Sequence, residues 1–206
     1  MKSTPPIQLQ LQQATSLPPP RQVELAQKIY KQSKNRQARQ AAFNLLKRAA
    51  RSSYAPAQCL LGYWYDTGRG HRHNPREAAR WYAAAARQGH RVAQCNLAQL
   101  YRDGIGIRRN PQLAVKWYRA SAVQEDAEAQ ADLGWCYAIG FGVRSNQKKA
   151  VYWFRRAAHR GNSKAMFNLA QAYLKGDAVR RNIAVARRWL KRAAFLGHRR
   201  AKRLLK

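Results

Sequence analysis

Acid is what this chain has least of. Nine Asp and Glu stand against forty Lys and Arg in 206 residues, for a formal net charge of +31. That excludes a surface that neutralises itself through ion pairs, because most cations have no acid to meet. Self-repulsion on this scale opposes compaction unless salt or a polyanion screens it. Long apolar runs are missing too. No stretch approaches the roughly 20 apolar residues of a membrane span. Only Lys2 precedes the polar N-terminal residues, so no secretory signal is read, and the cytoplasm is the expected location. Cysteine is limited to Cys59, Cys95 and Cys136. An odd, low number with no signal sequence excludes a disulfide framework and points to reduced thiols. Catalytic motifs are absent as well. No Ser, Cys or Thr nucleophile stands in a recognisable pattern, and no G-x4-G-K-[ST] loop follows a strand. His71 and His73 share a loop without a third ligand, whereas zinc takes three or four. No enzyme, metal, cofactor or small-molecule substrate is expected.

What the chain has in abundance is repetition. Ala57, Ala93, Ala129 and Ala165 stand 36 residues apart, and so do Leu61, Leu97, Leu133 and Leu169. Tyr65, Tyr101, Tyr137 and Tyr173 keep the same step, as do Gly68, Gly104, Gly140 and Gly176. Asn74, Asn110, Asn146 and Asn182, then Trp81, Trp117, Trp153 and Trp189, complete the ladder. A fixed period without insertions is the mark of stacked repeats. The Ala, Leu and Tyr positions fall on one helical face at i, i+4 and i+8. Glycine then ends this first helix, and asparagine caps a second, with Pro75 or Pro111 at its first position in two units. The second helix carries Ala, Trp and Tyr at spacings of three and four, so the tryptophans are expected on its buried face. Gly89, Gly161 and Gly197 close it in three units. Glu125 replaces that glycine in the other, where the connection is expected to differ. His90 and His198 share the position after the closing glycine and are read as structural.

The A-x3-L-G-x2-Y-x2-G-x-G of Ala57 to Gly70 and the A-x2-W-Y-x2-A-A-x2-G of Ala78 to Gly89 resemble the Sel-one-like repeat, a relative of the tetratricopeptide repeat. The resemblance implies an all-α fold, a right-handed α/α superhelical solenoid of 36-residue helix-pair repeats that serves as a scaffold for other proteins. That family commonly has an acid where this chain has Asn74 and its equivalents; both types cap a helix. The expected organisation is a disordered Pro/Gln-rich tail over 1–20, a partial repeat over 21–53, full repeats over about 54–89, 90–125, 126–161 and 162–197, and a terminal cap over 198–206.

The placement of charge is as regular as the fold signal. Arg72, Arg108, Arg144 and Arg180 are in phase just before the cap, with Arg109 and Arg181 beside two of them. Stacking is expected to align them as a polyanion-binding column. A secondary basic face on the second helices holds Arg80, Lys116 and Arg188, then Arg119, Arg155 and Lys191, extended by Arg156 and Arg192. It is expected opposite the tryptophan stripe. Tyr63, Gln99, Trp135 and Gln171 share one first-helix position and mark the expected concave groove for a protein partner. Glu125, Asp126, Glu128 and Asp132 cluster at one joint, as local charge balance for nearby arginines or as a docking point for a basic partner. The functional expectation is a non-enzymatic adaptor that binds a protein through the groove and docks on an anionic assembly through its basic surface. The alternatives are an RNA- or ribosome-binding protein that reads phosphate backbone, and attachment to an anionic membrane surface, since all three fit the same charge.

Overall fold

Helix boundaries fall where the capping residues put them. The computed structural model describes residues 14 and 16–205, and these contain eleven helices and no strand. The chain divides into two compact units, Met1–Arg109 and Asn110–Lys206. The first holds α1 (Pro19–Gln32), α2 (Arg36–Arg51), α3 (Ala55–Thr67), α4 (Pro75–Arg87) and α5 (Arg91–Asp103). The second holds α6 (Pro111–Val123), α7 (Ala127–Ile139), α8 (Gln147–His159), α9 (Ser163–Lys175), α10 (Ile183–Phe195) and α11 (Arg199–Leu204). Within each unit every helix packs on the one before it in sequence. No helix among the described residues is long and apolar enough to cross a membrane.

The caps are those the repeat encodes. The side chains of Asn74, Asn110, Asn146 and Asn182 accept the N–H of Glu77, Leu113, Lys149 and Val185 at 3.2, 2.9, 2.9 and 2.9 Å. Each satisfies one of the donors that a helix start leaves free. Gly68, Gly104, Gly140 and Gly176 end the preceding helices in the left-handed conformation. The other helix starts use a mixed set. Asp126 and Asn162 accept from Ala129 and Ala165, and the Nδ1 atoms of His90 and His198 accept from Ala93 and Ala201 at 3.3 and 3.2 Å. Both histidines are thus N-caps, in keeping with a structural role.

Packing corrects the expected second-helix face. Trp81, Trp117, Trp153 and Trp189 are only half-buried. The next residue in each unit is the buried one: Tyr82, Tyr118, Phe154 and Leu190 are 1, 0, 5 and 5% exposed. The reason lies in the partner helix. A Cβ on Gly62 or Gly134 would come within 2.7 Å of the Tyr82 or Phe154 ring, so these ring positions fill the space that the missing side chains leave. The Ala57 and Leu61 positions are buried in all four repeats as expected, together with Phe43 and Leu46 of α2, whereas the tyrosine position is buried at Tyr65 and Tyr137 and only half-buried at Tyr101 and Tyr173.

Three further features depart from the sequence reading or add to it. The connection at Glu125 does not differ. Its φ is 67°, and Asp126 N–H returns to the Ser121 carbonyl as His90 N–H does to Ala85. Glycines at the equivalent positions have open space where a Cβ would stand, so glutamate meets only the cost of the left-handed backbone, about 1–2 kcal/mol. The second feature is a buried glutamine ladder. Gln58, Gln94 and Gln130 stand 36 apart and donate to the carbonyls of Ala50, Ala86 and Ala122 at 3.2, 3.2 and 3.0 Å. Gln22, in the same phase, donates to Leu17. The third concerns the expected tail. Residues 1–13 and 15 lie outside the described residues, but Ala14 is buried and Pro19 and Pro20 form the first turn of α1. Proline has no N–H to lose there, which is why a proline run opens a helix.

Two outcomes follow from this packing. Tyr118→Ala should destabilise by about 3–5 kcal/mol, as for a fully buried aromatic truncation, and Trp117→Ala by about 1–2 kcal/mol for partial burial. Chemical denaturation of both variants tests the order, and equal losses would refute it. The histidine caps give a pH dependence. Burial, followed by Arg91 for His90 and by Arg200 and Lys164 for His198, lowers both folded pKa values below the ordinary 6.5. The unfolded chain therefore takes up the proton first. The caps' contribution is fully present above about pH 6.5 and is lost as pH falls through that value towards the folded pKa. Thermal melts between pH 7.5 and 5 should show this loss, and replacing both histidines by asparagine, the residue at 162, should remove part of it. An unchanged slope in that double variant would exclude the caps as its source.

Candidate polyanion-binding site

In three repeats the loop between the first and second helix is closed from within. Backbone N–H groups of Asn74, Asn146 and Asn182 donate to the carbonyls of Tyr65, Tyr137 and Tyr173 at 2.9, 2.8 and 2.9 Å. In the first of these loops His71 Nδ1–H donates to the Arg72 carbonyl at 2.9 Å, and its ring stacks on Phe43 at 4.8 Å. Arg72 and Arg108 of the first unit and Arg144 and Arg180 of the second are all exposed. Among the described residues, none of these four guanidinium groups makes an ion pair or a hydrogen bond. Arg109 is different, because its Nε donates to the Arg102 carbonyl at 3.1 Å. Arg181 is exposed beside Gly176. The same phase has a fifth member that the sequence reading passed over. Arg36 stands one period before Arg72 and is the first residue of α2; extending the 36-residue step backwards would have found it.

The secondary basic face is mostly spoken for inside the protein. Arg80 pairs with Glu77 at 3.6 Å and Arg156 with Glu125 at 3.4 Å. Arg119 donates to the Tyr137 hydroxyl at 3.0 Å, Arg155 to Tyr173 at 3.4 Å and Arg156 to Tyr152 at 2.9 Å. Lys116, Arg156 and Arg192 lie over the rings of Trp117, Trp153 and Trp189 at 5.8, 5.9 and 5.4 Å. This overturns the expectation that these cations stand opposite the tryptophans. The rings are half-exposed, and their electron-rich faces attract the cations. Arg188 and Lys191 are exposed.

The expected groove residues stay at the surface of their own helices. Tyr63 is 36% exposed with Arg69 over its ring at 4.7 Å. Gln99 and Gln171 are half-buried, and half-buried Trp135 meets Phe141 at 5.3 Å.

The acidic cluster resolves into local roles. Glu125 pairs with Arg160 at 2.5 Å as well as with Arg156, and the hydrogen bond from Arg160 holds its carboxyl below the usual range. Asp126 is a cap, and Glu128 accepts from Asn162 at 2.9 Å and Lys164 at 2.6 Å. These contacts favour local charge balance over a docking point.

All three cysteines are buried and none forms a disulfide. Burial pushes the Cys59 thiol up to about 12, so at neutral pH it holds almost no thiolate, the reactive form. Among the described residues no three His, Cys, Asp or Glu side chains gather to hold a metal ion.

With this geometry in view, the comparisons are consistent with one another. The Sel1 repeat profile matches residues 22–54, 55–90, 91–125, 127–162 and 163–198. A Sel1 repeat protein from Oxalobacter formigenes is 32% identical over 90% of this chain and 76% of its own, with a TM-score of 0.82. A protective antigen of uropathogenic Escherichia coli displaying an SLR fold is 30% identical, with a TM-score of 0.87. That likeness covers 96% of this chain but only 42% of the antigen, so the chain spans less than half of that protein. A Sel1 repeat protein from Klebsiella pneumoniae shares the fold at 19% identity and a TM-score of 0.57. No curated protein matches.

Proposed function

Because the chain belongs to the Sel1 repeat family, whose members are generally non-catalytic protein-interaction scaffolds, we propose that it is an adaptor. It takes a polypeptide on the first-helix positions Tyr63 and Gln99 of the first unit and Trp135 and Gln171 of the second, and its basic surface brings it to an anionic assembly. The observation that supports this reading is a redundancy in the first helices. Their core needs are met by the buried Ala57, Leu61 and Gln58 positions and their equivalents, and the shared position of Tyr63 and Trp135 is left partly exposed. Large aromatic rings held at a surface that the fold does not require are typical anchors for a partner.

A second reading, that the anion is RNA held through its phosphates, is favoured by one specific contrast. The loop arginines Arg72, Arg108, Arg144 and Arg180 have no internal partner among the described residues, whereas most of the helix-face cations do. A positive charge near a helix N-terminus is mildly unfavourable, by about 0.3–1 kcal/mol. An anion between the arginine and the free N–H groups reverses that sign. Anionic membrane is a weaker third reading with no observation of its own.

One experiment addresses both. A photo-reactive phenylalanine analogue at position 63 or 135 should capture a polypeptide of discrete size that survives nuclease treatment. Loss of the product on nuclease treatment would remove the adaptor reading. In parallel, changing the four phased arginines to glutamine should weaken single-stranded RNA binding. It should also flatten the salt dependence by about 0.7 log–log units for each phosphate no longer neutralised. The same number of changes at Arg80, Lys116, Arg155 and Arg188 should do less. Equal effects would mean that the charge acts diffusely.

A further inference from the structure

The first unit contains a cleft of about 460 Å³ lined by Lys34, Arg36, Arg39, Gln40, Gly68, Gly70, His71 and Arg72. None of these residues is acidic, and the volume is that of a small-ligand site. The cleft arises from a local irregularity in the repeat. Only Ser33 to Asn35 separate α1 from α2, whereas seven residues, Gly68 to Asn74, separate α3 from α4. The start of α2 therefore stands free at the surface, where the loop after α3 comes to meet it.

Its walls are fixed. The Gly70 backbone lies against α2 so closely that a Cβ would be 2.9 Å from the Arg39 carbonyl oxygen and 3.2 Å from Phe43 Cβ. His71 is clamped between Phe43 and the edge of Tyr65. Arg39 is anchored by donation from its Nε to the Ser33 carbonyl at 3.0 Å, and its guanidinium lies over the Tyr30 ring at 5.0 Å. Asn35 caps α2 by accepting from Gln37 at 2.7 Å, which leaves the first-turn N–H of Arg36 outside the helix's own bonding. Lys34, Arg36 and Arg72 are exposed and make no ion pair among the described residues. Three free cations and one anchored one thus surround a small cleft at the positive end of a 16-residue helix.

We propose that this cleft binds a dianionic phosphate group, with Arg36 and Arg72 as the paired forks, Lys34 as a point charge and Arg39 as the fixed wall. Planar guanidinium groups match the oxygens of a phosphate two at a time. A helix start adds N–H donors and a favourable dipole for the same charge. The proposal rests on the reading of the basic surface as anion-binding, but it places one discrete site in the first unit where that reading has distributed contacts. The phosphate can belong to a free small molecule or to the 5′ end of an RNA strand; the chemistry at the cleft is the same.

Titration of the full chain with inorganic pyrophosphate by calorimetry tests it. The wild type should bind one equivalent saturably, and the Lys34→Gln/Arg36→Gln double variant should bind at least tenfold more weakly. Arg39 is left untouched because it also holds the fold. The Arg108→Gln/Arg144→Gln/Arg180→Gln variant, which alters the loops outside the cleft, should keep pyrophosphate binding while losing affinity for single-stranded RNA. No saturable binding by the wild type, or equal weakening in both variants, would overturn the site. Loss of RNA affinity in the loop variant, with no saturable pyrophosphate binding by the wild type, would leave the distributed reading standing without the site. ADP and a short RNA oligomer with or without a 5′-phosphate separate the sources. Competition by ADP at micromolar concentration points to a small molecule, and a preference of tenfold or more for the 5′-phosphorylated oligomer points to an RNA end. Failure of all of these to compete with pyrophosphate would also overturn the proposal.

Discussion

The close approach of a loop to the start of an earlier helix is the constraint on which the rest depends. A Cβ on Gly106 would lie 2.2 Å from the Pro75 carbonyl oxygen, and one on Gly142 would lie 2.2 Å from that of Pro111. No side chain fits at that distance, so these two positions need glycine for space as well as for their positive φ. The first glycine of each Gly-x-Gly pair ends a helix; the second lets the chain lie against its neighbour. The positive φ alone does not demand glycine. Ala178 occupies the corresponding place in the last loop, exposed and at φ 55°. The loop arginines inherit their position from this close approach. Arg108 and Arg144 each follow the second glycine by two residues, on backbone whose path is already fixed.

A net charge of +31 has to be accommodated by a core built largely from alanine. The helices bury Ala, Leu and single aromatic rings in tight contact, which favours packing without bulk. Cations are excluded from that interior and divide by position. Most of those on the second helices' basic face find tyrosine hydroxyls, tryptophan faces or one of the few acids. Exposed pairs of this kind contribute little to stability, so their role is to hold long side chains down. Arg72, Arg108, Arg144 and Arg180 in the loops make no ion pair or hydrogen bond among the described residues. The four phased loop arginines thus carry unpaired charge on the helix connections, in addition to exposed cations such as Arg188 and Lys191 on the helices.

Much of this was legible from the chain. The period, the asparagine and glycine boundaries and the Ala, Leu and Tyr core face all follow from residue type at fixed spacing. The tryptophans misled because Trp81 and Tyr82 are neighbours on one wide stripe, and amphipathicity alone does not say which ring is central. The answer depends on the opposing helix: Gly62 and Gly134 face the second ring of each pair. The glutamine ladder was in phase and unread, because a polar side chain in a helix is ordinarily taken as solvent-facing; its buried amide serves the carbonyls at the end of the preceding helix. Glu125 looked like a break because glycine is the usual left-handed residue. Nothing in the sequence reports that a Cβ there meets open space.

The cleft at Arg36 and Arg72 was beyond sequence reasoning for a different reason. The phase of Arg36 was visible, but its meaning depends on a shortened loop that moves the start of α2 relative to the repeat. In the later repeats a seven-residue loop carries the arginine ahead of its helix. Here the arginine is the first helical residue, and the next phased arginine closes over it from the following loop. A repeat architecture thus produces a specific site where its regularity fails. The regular loops present the same charge again and again, which suits a long polyanion, whereas the irregular joint forms one cleft of small-ligand size, in which four cations can meet a single phosphate group.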